Sequence, residues 1–495
     1  MMHSRTVLLF LALSLLGSAC TGRVSALPAG TGTPEIRTPP SEPGISTAEI
    51  ASAPTMAAPT LTPQPPSLTQ YSIKAIFDYA GHHLTVDEDI GYLNNANVPL
   101  EDLLLIVEPN RSPGVFSLKG LQWQNDEPVT DYSLDGARLR IPLQKLLEPG
   151  ERVNLSISYD LNIPEAEEPF GYTERQANLG DWYPYAPPYR PGEGWMVRDD
   201  AYLGEHLVYD VADFQVDIQM VNPTSPEGRS YTIAASAPAE EAGDWHHYQM
   251  DAARTFAWSV SDQYQVLTTT VGDVTVLGYS FPYHAGADEP ALQATADALD
   301  LYDDLFGPYP HKSLSVVEAD FLNGMEYEGL FFLSHAFYDY FTGTPENNLI
   351  IIAAHETAHQ WFYGWVGNDQ AMEPWLDEAL CTFSESLFYE HVYPDRLDWW
   401  WENRVYFHKP EGWVDSTIYD TPGFYPYRDA VYLRGTLFLK DLEDLMGEQA
   451  FLGFLKDYLN QYRYKIVSGD DFFALLKQHT SADISGLVTE YFSHR

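Results

Sequence analysis

His355, Glu356 and His359 occur together as HETAH inside the apolar run LIIIAAHETAHQWFYGW. Residues i and i+4 share one face of an α-helix, so both imidazoles can turn toward a single ion. Glu356, next to the first of them, can then reach a water held there. Nineteen positions after His359 stands Glu378, in EPWLDEALCTFSESLFYEH, where Pro374 suits a first helical turn and the apolar spacing is helical. Two histidines and a glutamate from two helices leave one tetrahedral position open, the arrangement of a catalytic rather than a structural zinc site. The expected cofactor is therefore one Zn2+ per chain with His355, His359 and Glu378 as ligands, although the same donors accept other divalent ions. Glu385 lies seven residues beyond Glu378. It is a candidate acceptor for the outer nitrogen of a ligand histidine, the alternative being simple exposure on the helix surface.

The elements that must hold these residues fall into two blocks. From Tyr71 to about residue 280 the patterns are short and alternating (SIKAIFDY, LLLIVEP, ARLRIPL, VNLSISYDL, DFQVDIQMV), separated by turn chemistry such as Glu148-Pro149-Gly150. They predict a mostly antiparallel β-domain over 70–280. Beyond residue 285 the period becomes helical, with DEPALQATADALDLYDDLF stopping at Gly307-Pro308. Further amphipathic runs at 348–363, 374–389, 430–446 and 449–462, and FFALLKQH after a candidate N-cap at Ser468, make 281–495 mainly helical.

The amino terminus predicts export. Arg5 precedes the apolar run Val7–Leu16, which is followed by Gly17, Ser18, Ala19 and Cys20. Residues 1–19 have signal-peptide anatomy, and about ten apolar residues are too few to cross a bilayer. LLGSAC resembles a bacterial lipobox, which makes Cys20 a candidate lipid-bearing residue. Ordinary cleavage after Ala19 is the alternative. Ten of the 35 prolines fall in residues 21–70, so 20–69 reads as an extended Pro/Thr/Ser-rich tether. The expected location is extracytoplasmic, as a membrane-anchored bacterial lipoprotein or otherwise secreted. The only membrane association expected is through that anchor.

Composition narrows the function classes. Lys+Arg 27 against Asp+Glu 71 gives a net charge of −44, which offers no counterion-release term to nucleic acid. Sixty-nine aromatic residues (12 Trp, 33 Tyr, 24 Phe) exclude wholesale disorder. The two cysteines, Cys20 and Cys381, exclude a disulfide scaffold.

HETAHQWF followed by WLDEA resembles the HExxHxWF…WLNEG pattern of the aminopeptidase N family of gluzincins, the M1 peptidases. Three further segments agree. Asn323-Gly324-Met325-Glu326-Tyr327 resembles the GxMEN signature, Val431-Tyr432-Leu433-Arg434-Gly435 resembles VYxKG, and FGPYPHKSLSVVEADF resembles the strand leading into GxMEN. The resemblance implies an α+β multidomain fold. An N-terminal antiparallel β-sandwich or saddle domain would be followed by a mainly α, thermolysin-like zinc metallopeptidase domain, without the long C-terminal helical domain of many relatives. It implies a zinc-dependent aminopeptidase acting on the N-terminal bond of peptides with a free amine. Glu356 would be the general base, Tyr432 the oxyanion donor, Glu326 the amine-gripping carboxylate, and Gly324 and Met325 further substrate-binding positions. Tyr327, Asp377, Ala379 and Arg434 depart from the family pattern, and Tyr327 leaves the amine-site geometry open. Two other readings use the same residues: a zinc endopeptidase or other hydrolase, which does not need Glu326, and a catalytically silent surface binding protein.

Overall fold

The computed structural model describes residues 68–201, 203–284 and 286–495, all within one contact unit, Pro65–Arg495. The expected signal peptide, Cys20 and nearly all of the tether lie outside the described residues. No helix among the described residues is long and apolar enough to cross a membrane.

Alternation builds the β-half. In the strand Thr69–Asp78, Tyr71, Ile73, Ala75 and Phe77 are buried and the residues between them are not, so the strand offers one apolar face to a core. It sits in the middle of a seven-stranded sheet, in the order Glu240–Ala242, Trp245–Ala253, Ala212–Met220, Thr69–Asp78, His83–Leu93, Arg152–Asn162, Phe116–Trp123. All pairings are antiparallel except one: Thr69–Asp78 runs parallel to Ala212–Met220, with Thr69 opposite Ala212. A parallel pair requires a long crossover, and 133 residues separate these two strands. A three-stranded sheet, Leu100–Ile106, Arg138–Leu147 and Ser133–Asp135, contributes Leu103, Leu105, Leu139 and Ile141 to the same core.

The sheet that leads to the site has five strands, ordered Gln265–Val271, Val274–Ser280, Ser313–Ala319, Leu330–Ser334 and Gly324–Tyr327. Its first two strands end by residue 280, on the far side of the division expected from the change of period. They pair with each other, and the second of them pairs with Ser313–Ala319. The last strand, Gly324–Tyr327, is antiparallel to its neighbour and forms the edge.

The second half is helical. Asp288–Phe306 buries Ala291, Leu292, Thr295, Ala298, Leu299, Tyr302 and Phe306, one stripe at helical spacing, and ends at Gly307, whose φ of 119° suits a residue without Cβ. Asn348–Ala358 is capped by the Asn347 side chain, and Glu378–Val392 by Asp377. Gly469–His479 starts with the expected Ser468, which forms a reciprocal capping box with Asp471. Two expected helices are interrupted. The run 348–363 stops at Ala358, because the chain folds back so that the Gly364 amide bonds the His359 carbonyl, with Tyr363 at φ 132°. The run 430–446 begins with a π-turn, Asp429–Leu433, before the α-helix Arg434–Met446.

Candidate metal and catalytic site

Helix Asn348–Ala358 ends in the site. His355 lies in its last turn and His359 is its C-cap, still in right-handed helical conformation, so the two rings converge with Nε2 atoms 3.2 Å apart. Glu378, first residue of the facing helix, brings Oε2 to 3.1 Å from His355 Nε2 and 3.6 Å from His359 Nε2. All three side chains are buried. The outer nitrogens are engaged as well: His359 Nδ1 donates to the Phe362 carbonyl at 3.1 Å, and His355 Nδ1 to Glu385 Oε1 at 2.9 Å. The tight turn after Ala358 is what places that carbonyl.

These contacts test whether a metal fits. With both Nδ1 atoms donating outward, both Nε2 atoms face the Glu378 carboxylate, so the three atoms can share a proton or, with both rings neutral, offer three lone pairs to a metal ion. Such a cluster calls for a cation. Ligands on a tetrahedral zinc, at about 2.0–2.1 Å from it, lie about 3.3–3.4 Å apart. The observed separations bracket that value, so the residues fit zinc. Electrostatics agree. Burial alone would lower the pKa of His355, but hydrogen bonds to Glu378 and Glu385 outweigh it and raise it to about 9. Burial alone would raise the pKa of Glu378, yet His355 and His359 hold it far below the usual carboxylate range. The pocket favours positive charge at its centre.

Glu385 is fully buried and anchors the outer edge of the site. Besides His355 it accepts from Trp400 Nε1 at 3.1 Å and from Arg404 Nε and Nη2, both at 2.8 Å. Burial would raise the Glu385 pKa, but the Arg404 guanidinium and His355 lower it, so the carboxylate stays ionised. Arg404 and Trp400 were not among the sequence candidates. They come from Leu397–Trp400 and the π-turn Trp401–Val405, in no recognisable motif. Arg404→Met and Glu385→Gln are each expected to weaken zinc binding about 10- to 100-fold, read by competition with a chelating dye. Arg404→Lys recovers only part of the loss, because lysine cannot offer the two-pronged contact. Unchanged affinity in both Arg404→Met and Glu385→Gln would remove Glu385 from the metal's support.

Glu356 is buried, and its Oε2 has no hydrogen-bond partner among the described residues. Burial, offset in part by the two histidines and reinforced by Glu326 and Glu378, pushes its pKa up to about 8 in the metal-free pocket. Across the cleft lies the edge strand Gly324–Tyr327. A Cβ at Gly324 would overlap Glu356 Oε1, so the glycine makes room for that carboxylate. Gly324→Ala is accordingly expected to lower kcat about 10- to 100-fold with zinc content unchanged. Wild-type kcat in that variant would show the contact to be slack.

Strand alternation puts Glu326 on the same side as Gly324. Glu326 is buried and accepts from Gln370 Nε2 at 2.9 Å, and a carboxylate oxygen each from Glu326 and Glu356 and a nitrogen of His359 lie within 4.8 Å of one another. Burial raises the Glu326 pKa, and nearby Glu378 adds to the rise against the effect of His359. Met325 is half-buried and packs partly on the cluster that contains Tyr327. Tyr327 itself, 1% exposed, points its hydroxyl to Asp181 Oδ2 at 2.8 Å, over Gly180 where no Cβ fits. The departure from GxMEN thus ties this strand to the β-half. Asp377, the other notable departure, caps the Glu378 amide through Oδ1, and its Oδ2 is buried without a partner.

Tyr432 belongs to the π-turn. Its ring stacks on His355, 6.0 Å between centroids and 9° between planes, and its hydroxyl lies in the field of Glu378. Burial and the charge of Glu378 push its pKa well above the ordinary value. One more residue escaped sequence reasoning. Glu205, in a loop of the β-half, has its pKa raised first by burial and then by Glu326, Glu378 and Asp377, which places its carboxylate in the same field. Gly204 beside it leaves no room for a Cβ against Ile418 and Tyr427. No local pattern marks a lone Gly-Glu pair.

Residues 290–491 match the Peptidase family M1 domain. Aminopeptidase N of Lactobacillus delbrueckii subsp. lactis is 25% identical over 292 residues, 53% of this chain and 34% of that protein. The chain therefore spans about a third of that relative's length. The M1 zinc metallopeptidase from Deinococcus radiodurans superposes with a TM-score of 0.62 at 20% identity, over 85% of this chain and 93% of that one. A mutant of that metallopeptidase bound to a Tyr-Ser-Ala substrate gives 0.60 at 20% identity, over 86% and 94%. At such identity the likeness is one of fold: a β-rich amino-terminal part followed by a mainly helical one. Sequence motif, metal-ligand geometry and the match to the Peptidase family M1 domain all fall within residues 290–491.

Proposed function

We propose that this protein is a zinc-dependent aminopeptidase, which hydrolyses the first peptide bond of substrates with a free amino terminus. The observation that carries the reading is the placement of Glu326. A buried carboxylate within 4.8 Å of both the candidate base and a metal ligand has room for one charge partner of opposite sign, a substrate ammonium, and only the first carbonyl of the chain then reaches the metal. Glu205 adds a second carboxylate to that field.

Zinc held by His355, His359 and Glu378 would polarise the scissile carbonyl and acidify the attacking water. Glu356, whose Oε2 is unpartnered, takes the water's proton and later delivers it to the departing amine. Tyr432 donates its hydroxyl to the oxygen on which negative charge develops. Gln370 steadies Glu326 while Glu326 holds the amino terminus.

The test compares release of a reporter from free and N-acetylated amino-acid amides, with and without a chelator. Cleavage is expected for the free series alone, and the chelator should abolish it. Glu326→Gln should raise KM for free amides about 10- to 100-fold, the scale of a lost hydrogen bond to a charged group. Equal rates on the acetylated series would replace the aminopeptidase by an endopeptidase. Full zinc occupancy with no hydrolysis of any peptide would leave a binding protein.

A further inference from the structure

The β-half holds a groove of about 640 Å3 between the edge strand Phe116–Trp123, its neighbour Arg152–Asn162, and strand Arg138–Leu147 of the three-stranded sheet. That volume lies within the roughly 300–1,000 Å3 of small-ligand pockets, and no residue of the candidate catalytic site lines it. Its floor is apolar: Trp123, Leu143 and Val153 each rest one side on the core and turn the other to the groove. The Trp123 indole N–H has no partner among the described residues and is open to solvent, whereas the indole nitrogens of Trp258, Trp365 and Trp375, also without a partner there, are buried.

Side-chain amides stand around that floor. Gln144 has no partner within the described residues. Gln124 accepts from Asn154 Nδ2 at 2.8 Å, which leaves the Gln124 amino group and the Asn154 carbonyl oxygen free. Each amide offers donors and acceptors together, as a hydroxyl does. A flat ring with amides at its margin matches a pyranose, which has an apolar C–H face and a rim of hydroxyls. A peptide strand is a poorer fit, because the outer side of the edge strand near Trp123 is already paired. Val129 donates to the Leu121 carbonyl, Trp123 to the Glu127 carbonyl, and Gln122 bridges Pro128. Lys145, Arg152 and Glu127 also line the groove and leave it without a strong local charge, while the chain's net charge of −44 disfavours acidic glycans at longer range.

We propose that this groove binds a neutral oligosaccharide. The test is calorimetric titration of the full chain with cellohexaose, maltohexaose and the hexamer of N-acetylglucosamine. At least one should bind with Kd below about 1 mM, the weak end of specific affinity. Trp123→Ala should weaken that binding at least tenfold through the lost stacking face. Gln144→Ala removes an exposed amide with no internal partner, so it should leave the thermal melting temperature unchanged and weaken binding about 2- to 10-fold. Failure of all three sugars to bind would overturn the proposal. So would binding that neither substitution reduces, or Trp123-dependent capture of an apolar peptide in place of sugar.

Discussion

Glu356→Gln is expected to lower kcat on free amino-acid amides about 10²- to 10⁴-fold, the usual share of a positioned base, while the protein still binds one zinc. Glutamine matches glutamate in shape and sits beside Gly324 without new overlap, and none of the three metal-ligand contacts involves Glu356. What disappears is an acceptor for the proton of the attacking water. The pH profile should report the same group. Burial raises its pKa to about 8 in the metal-free pocket, and a divalent cation nearby favours the ionised form, so the acid limb of kcat/KM in the zinc enzyme should fall below pH 8. Activity is present above that limb, where Glu356 is a carboxylate, and is lost as pH falls through it. Parallel measurement of zinc content and kcat against pH checks both parts. A fully zinc-loaded Glu356→Gln variant within tenfold of wild type would remove Glu356 as the base.

The convergence of the candidate ligands is legible in the sequence because helical spacing is a local property. His355 and His359 are four residues apart, and the only long-range step, to Glu378, joins two segments that each read as helical. The outer support was half legible. Glu385 could be placed two turns along from Glu378, but Arg404 and Trp400 reach it from a segment whose helix is partly of π type, and no periodicity marks that segment as facing the site. Glu205 was invisible for a different reason. It enters the cleft from a loop of the β-half more than 100 residues from the nearest site motif, and its role depends wholly on which loop the tertiary fold brings there. The helix ends were misjudged where the site required it. Hydrophobic spacing continues through Trp361 and Phe362, but the chain turns after Ala358 so that the Phe362 carbonyl can meet His359 Nδ1. The parallel pair in the seven-stranded sheet was equally hidden, since alternation reveals a strand's face and not the direction of its neighbour.

Tyr432→Phe is expected to lower kcat about 10²- to 10³-fold with little change in KM, the signature of a contact made only as charge develops in the transition state. The ring should stay where it is: phenylalanine keeps the stack on His355 and the edge contact with Tyr427, 5.8 Å away. Zinc affinity should therefore be nearly unchanged, which separates this variant from those at Arg404 and Glu385. The π-turn Asp429–Leu433 sets the direction of the side chain, since one extra residue in the turn shifts the side-chain directions away from those of a regular α-helix. Burial and the surrounding carboxylates push the Tyr432 pKa well above the ordinary value in the metal-free pocket, so there the hydroxyl keeps its proton at neutral pH. The Tyr432→Phe variant should retain the wild-type acid limb, which belongs to Glu356, at a reduced plateau. Steady-state kinetics across pH, with zinc measured in each preparation, distinguishes the outcomes. A rise in KM equal to the fall in kcat/KM would make Tyr432 a substrate-binding residue, with no special hold on the transition state.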